Sequence, residues 1–70
     1  MKYLDLHGFF HIDVELEVKN FLFSNNGELP VKIITGKSDK MRDIVVDILN
    51  KNDYYFDIPA HNSGEIIVYH

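Results

Sequence analysis

Apolar side chains along this chain keep two different spacings in turn, and that alternation limits the possible folds more than any other feature. Residues 2–6 carry Tyr3, Leu4 and Leu6 in a short run ended by Gly8, the pattern of a strand running into a turn. From His11 to Ser24 the spacing changes. Val14, Val18, Phe21 and Leu22 fall at i, i+4, i+7 and i+8, one face of a helix. The stretch Asn25-Asn26-Gly27 stops it. Residues 31–35 are a nearly unbroken β-branched run after Pro30, which fits a buried strand. Beyond the turn Gly36-Lys37-Ser38, either Ser38 or Asp39 can cap a second helix. It reaches about Asn52, with Ile44, Val45, Ile48 and Leu49 as its inner face. Residues 54–58 read as a third strand, 59–64 as a loop and 65–69 as the closing strand.

The resulting order, β-α-β-α-β-β, defines an α/β class. Strands that alternate with helices pair in parallel through right-handed crossovers, so both helices are expected on one face of the sheet. A short loop joins the last two strands as an antiparallel hairpin, giving a two-layer sandwich with a four-stranded mixed sheet. If the first three strands run in one direction, their carboxyl ends share an edge. Segments 5–8, 35–38 and 60–63 would converge there, where open α/β sheets bind ligands. Both helix N-termini open onto that edge, with unpaired N–H groups and positive dipole ends.

Seventy residues support one domain, 1–70, in which nearly every segment must be ordered for so small a core to hold. An apolar fraction of 46% and a charged fraction of 26% belong to a folded chain, not a disordered one. The absence of cysteine excludes disulfide staples and thiolate metal cages. No apolar run reaches the roughly 20 residues that cross a bilayer, and Met1 leads straight into a strand. The expected protein is soluble and cytoplasmic, with no membrane partner. Its formal charge of −4 argues against gripping nucleic acid over the whole surface. Lys32, Lys37, Lys40 and Arg42 nevertheless gather around one glycine turn, where a local patch can hold a phosphate.

Leu4-Asp5-Leu6-His7-Gly8 carries the chemistry. Alternation sends Asp5 and His7 to one face and Leu4 and Leu6 to the other. At a buried strand end, a carboxylate and an imidazole both cost free energy to desolvate, so the pair points to hydrolysis or phosphate handling. Asp5 would orient or activate a water, directly or through a cation, with His7 as acid, base or phosphate ligand. The plainer alternative has Asp5 accepting turn amides and His7 as a structural histidine. Thr35-Gly36-Lys37-Ser38 contains Gly-Lys-Ser, but Val31 stands where a P-loop needs its first glycine, which excludes that motif. What survives is a turn whose amides and lysine can hold one phosphodiester, or an ordinary strand-to-helix turn. His7 and His11 are separated by Gly8 onto different elements and do not form a zinc pair. No tightly bound cofactor is expected; Mg²⁺ or Mn²⁺ could be held loosely by Asp5 and a substrate phosphate. No serine has a paired base, so a covalent serine mechanism has no support. His61 lies in a loop expected at the same edge and is a third candidate beside its plainer role as a solvated histidine. Tyr3, Tyr54, Tyr55 and Tyr69 are expected to fill the core rather than stack on bases. Phe9 and Phe10 stand where a polar helix cap is expected and could shield the site or face a partner.

These residues resemble the small MutS-related (Smr) domain over essentially the whole chain. That family opens with a Leu-Asp-Leu-His-Gly strand end, here Leu4 to Gly8, followed by an acidic helix start, here Asp13-Val14, then Val18 and Phe21-Leu22. Its β-branched strand leads into His-Gly-Lys-Gly and a Leu-Arg pair, here residues 31–34, Thr35-Gly36-Lys37-Ser38 and Met41-Arg42. A glycine loop and a final β-branched strand close it, here Gly64 to Tyr69.

The resemblance implies a fold similar to the C-terminal domain of a bacterial translation initiation factor. It also implies binding to DNA or RNA, with nicking endonuclease activity in many members. By position, Asp5 and His7 match the family's candidate catalytic pair. Gly36, Lys37 and Arg42 match its candidate substrate-contact residues; Gly8, Thr35 and Ser38 complete the two turns that would contact substrate, with His61 added from the third loop. Thr35 replaces the family's second-motif histidine and Ser38 its last glycine. The alternative is therefore a non-catalytic module that binds nucleic acid or protein. Such a module could belong to a larger MutS-like repair or recombination protein, or to a translation-quality-control protein.

Overall fold

Six elements follow one another in the computed structural model, which describes residues 1–70. They are β1 (Tyr3–Asp5), α1 (His11–Ser24), β2 (Val31–Ile34), α2 (Asp39–Lys51), β3 (Phe56–Asp57) and β4 (Glu65–Val68). The strands make one four-stranded sheet in the order β1-β2-β4-β3. β1 pairs in parallel with β2, while β4 runs antiparallel to both β2 and β3. The first three strands therefore share a direction and an edge, as expected, although β3 sits at the far side of the sheet.

Side-chain alternation divides the sheet into a covered and an open face. Leu6, Val31, Ile33, Ile66 and Val68 are buried, with Leu4 packed against them. Over this face α1 lays Val14, Val18 and Leu22, and α2 lays Met41, Val45, Ile48 and Leu49. Each such side chain, fully buried, stabilises the fold by about 1.5–3 kcal/mol before entropy is counted. The opposite face carries Tyr3, Asp5, Lys32, Ile34, Glu65 and Ile67 and has no helix over it. There Lys32 Nζ lies 3.4 Å from Glu65 Oε2, a diagonal pair across β2 and β4 beside the two isoleucines.

The helix ends are set by side chains. Ser38 Oγ accepts the Met41 N–H at 3.1 Å, so Ser38 rather than Asp39 caps α2. Each helix finishes on an asparagine that donates its amide one turn back, Asn25 Nδ2 to Phe21 O at 2.8 Å and Asn52 Nδ2 to Ile48 O at 2.7 Å. Each of these carbonyls also accepts the backbone N–H of the same asparagine, at 3.2 Å in both helices, so the asparagine clamps the last turn twice. The stretch Asn25-Asn26-Gly27 thus stops α1 as expected, with Asn25 as the cap; positive φ occurs at Gly8, Gly36 and Asp53 only.

Two sequence expectations need correction. The third strand shrinks to Phe56–Asp57, because the Tyr54 N–H donates to Leu49 O at 3.0 Å and so finishes α2 instead of joining the sheet. Of the tyrosines, only Tyr54 packs against the core; Tyr3, Tyr55 and Tyr69 are exposed. Two helices cover one face of this sheet, so outward strand residues meet solvent.

Candidate functional site

Three chain segments are knitted together by backbone hydrogen bonds at the shared strand-end edge. Leu6 N–H donates to Ile34 O at 2.9 Å, extending the β1–β2 ladder to the start of the first turn. Phe9 N–H then returns to Leu6 O at 3.0 Å, closing that turn around Gly8. On the other side, Gly64 O accepts from both Thr35 N–H, at 2.8 Å, and Gly36 N–H, at 3.1 Å. The first turn, the second turn and the 59–64 loop thus form one rim, as the strand directions require.

Glycines shape this rim for two different reasons. Gly8 and Gly36 have φ of +85° and +68°, the left-handed region that L side chains avoid, and a Cβ at either would touch nothing within 4 Å. Gly64 is required by contact instead: a Cβ there would lie 2.9 Å from Gly36 O. Asn62 Oδ1 accepts the Gly64 N–H at 3.0 Å and holds the loop in place. Neither Asn62 nor Gly64 stood among the site residues expected from sequence. The Asn62-Ser63-Gly64 string is a turn signal that marks them.

Asp5 and His7 share the rim but not the burial expected for them. Both are exposed. Asp5 points from the open face of β1 because no helix covers that face, and His7 follows it into the turn. Asp5 Oδ1 accepts the His7 N–H at 2.9 Å, the turn-amide bond of the plainer alternative, while Oδ2 has no partner in the chain. The carboxylate is fixed by one oxygen and free at the other.

The cation patch is also smaller than the sequence suggests. Lys32 is occupied by Glu65, and Arg42 Nη2 lies 3.1 Å from Asp39 Oδ1. Lys37 and Lys40 are exposed and form no ion pair. Thr35 cannot offer its side chain to a ligand: it is 4% exposed, and its hydroxyl turns to Gly36 O at 3.4 Å. The amides of Thr35 and Gly36 are spent on Gly64, so they too are unavailable. Open N–H groups begin at Lys37 and run through Ser38 and Asp39 to Lys40, at the positive end of α2. Ser38 contributes through its backbone, since its hydroxyl is the helix cap. His61 lies exposed on the third loop of the same rim.

No three or more of His, Cys, Asp and Glu come together in a metal-binding group. The residues present fit only a loosely held divalent ion on the free oxygen of Asp5, completed by water and substrate. The largest hollow lies elsewhere, near the C-terminal ends of the helices. It measures about 290 Å³ and is lined by Lys19, Leu22, Phe23, Asn26, Ile48, Asn52 and Tyr54. It holds no acid and no imidazole, so the rim, though shallow, is where acid–base chemistry could occur. No helix is long and apolar enough to cross a membrane. No family model, curated protein or solved structure matches the chain.

Proposed function

We propose that this rim grips one phosphodiester of a DNA or RNA strand and that Asp5 and His7 promote its hydrolysis, as a nicking endonuclease of the Smr type would. The observation that carries the proposal is the backbone stitching of the Leu-Asp-Leu-His-Gly turn and the Gly-Lys-Ser turn onto a single edge. An anion seated there meets the open amides of residues 37–40, the Lys37 ammonium and Arg42 once it exchanges Asp39 for phosphate. Asp5, anchored through Oδ1, presents Oδ2 to the attacking water, directly or through Mg²⁺ or Mn²⁺. His7 lies on the same turn and moves a proton to or from the reacting oxygens. Gly8 and Gly36 keep both turns free of side chains that would block a polymer backbone.

Supercoiled plasmid and structured RNA, each incubated with the purified chain with and without Mn²⁺, test this directly. Nicking is expected from the parent chain and none from Asp5→Ala, with the circular dichroism of the two unchanged. Equal cutting by both would remove Asp5 from the mechanism. Lys37→Gln should weaken binding regardless of sequence and flatten the salt dependence by about one unit of log–log slope.

One observation favours a second possibility, binding without cutting. Thr35, at the position of the family's second histidine, is buried and committed to its own turn. If that histidine is needed, His61, exposed on the third loop of the rim, is the candidate replacement. Retained binding with no cleavage under any divalent-ion condition would select this alternative. No binding to DNA or RNA even at low salt would defeat the nuclease and point instead to a protein partner.

A further inference from the structure

Helix α1 is apolar on two sides, and only one of them is covered. Val14, Val18 and Leu22 face the sheet. On the far side Ile12 is 90% exposed, Leu16 63% and Phe23 80%. At 3.6 residues per turn these three point within about 40° of one another, a straight stripe about 16 Å long. Phe10, 77% exposed at the N-cap, falls about 160° round the helix from Ile12 and stands off the stripe. A helix with two apolar faces is built to lie between two layers, and this fold supplies one.

We infer that the missing layer is a second copy of this chain, its α1 packed antiparallel against the first across a twofold axis between Leu16 and Lys19. The stripe is self-complementary in that register. Ile12 meets the partner's Phe23, and Leu16 lies across the aliphatic stem of the partner's Lys19. Charge fits as well. Glu15 and Lys19 border the stripe, paired within the chain at 2.9 Å. The twofold brings each Lys19 toward the partner's Glu15, so two like-charged −4 chains meet along a charge-balanced seam. The three stripe side chains per copy cover on the order of 350 Å², or about 700 Å² for the pair, so the association is a weak one that sets in toward millimolar concentration.

Sedimentation of the intact chain from micromolar to millimolar concentration should show mass doubling that Leu16→Glu abolishes. Leu16 is exposed, so an unchanged circular dichroism spectrum must accompany the loss. The register has its own test, because the chain has no cysteine of its own. Mixed under oxidising conditions, Ile12→Cys and Phe23→Cys should cross-link with each other far faster than either does with itself. A chain that stays monomeric to millimolar concentration overturns the inference, as does a dimer indifferent to Leu16→Glu. Preferential Ile12→Cys homodimers would overturn the antiparallel register. These readouts do not depend on the rim, so nuclease activity can fail while the dimer stands, and the reverse.

Discussion

Helices α1 and α2 lie side by side on the same face of the sheet, bury comparable stripes and each carry one exposed ion pair, but differ in the apolar surface they show to solvent. Outward from α2 stand Lys40, Asp43, Asp47 and Lys51, with Lys51 Nζ 3.0 Å from Asp47 Oδ2, and Ser38 caps its first turn. Outward from α1 stand Ile12, Leu16 and Phe23, and Phe10 occupies the cap position with no side-chain bond. One helix is complete in water and the other is not. Inward burial is the common requirement of the fold, so what differs outward reports a second demand on α1 alone.

The comparison breaks first, if it breaks, at inward against outward leucines. Leu22→Ala in α1 and Leu49→Ala in α2 should each cost about 2–5 kcal/mol in urea unfolding, since both side chains are buried in the common core. Leu16→Ser, measured at high dilution, should cost less than about 0.5 kcal/mol. A Leu16→Ser loss comparable to that of Leu22→Ala would mean that the outward stripe belongs to the monomer's own core.

The same inward demand explains what could be read from sequence. Both helices follow from local signals: apolar residues recur every three or four positions, and polar cap or stop residues flank them. His11–Ser24 emerges at its observed bounds because that pattern needs no tertiary information. Site details need it. Thr35 ends a β-branched run, and nothing local shows that its amide and that of Gly36 will be consumed by Gly64, nearly thirty residues on. The burial assigned to Asp5 and His7 failed for a related reason. Alternation gives their face, whereas the presence of a covering layer depends on where both helices go. The Phe9-Phe10 pair is visible in the sequence as a missing polar cap, and α1 does lack a side-chain cap.

Capping separates the helices next, with opposite signs. Ser38→Ala should destabilise by about 1 kcal/mol, because the Met41 N–H loses its acceptor. Phe10→Ser should instead stabilise the isolated monomer, by up to about 1 kcal/mol, by supplying the cap that α1 lacks. Thermal unfolding at low concentration measures both. A Phe10→Ser variant that is less stable than the parent at every dilution would give Phe10 a structural role within the monomer.

The smallest difference lies in the surface ion pairs, which fail at opposite ends of the pH scale. In α1 the Glu15 carboxyl is held below its ordinary range, first by its hydrogen bond to Lys19 and then by the Lys19 charge. In α2 the Lys51 ammonium is held above its ordinary range by the hydrogen bond and charge of Asp47. A lowered carboxyl contributes stability above its unfolded value and loses it as pH falls through the folded one. A raised ammonium contributes below its unfolded value and loses it as pH rises through the folded one. Glu15→Gln should therefore flatten the acid limb of the melting-temperature profile and Lys51→Met the alkaline limb. Both groups are fully exposed, so molar salt should erase both effects. The two limbs are weakly coupled, because the Glu15 charge also helps to hold Lys51 up and the Lys51 charge helps to hold Glu15 down, so Glu15→Gln should move the alkaline limb slightly as well.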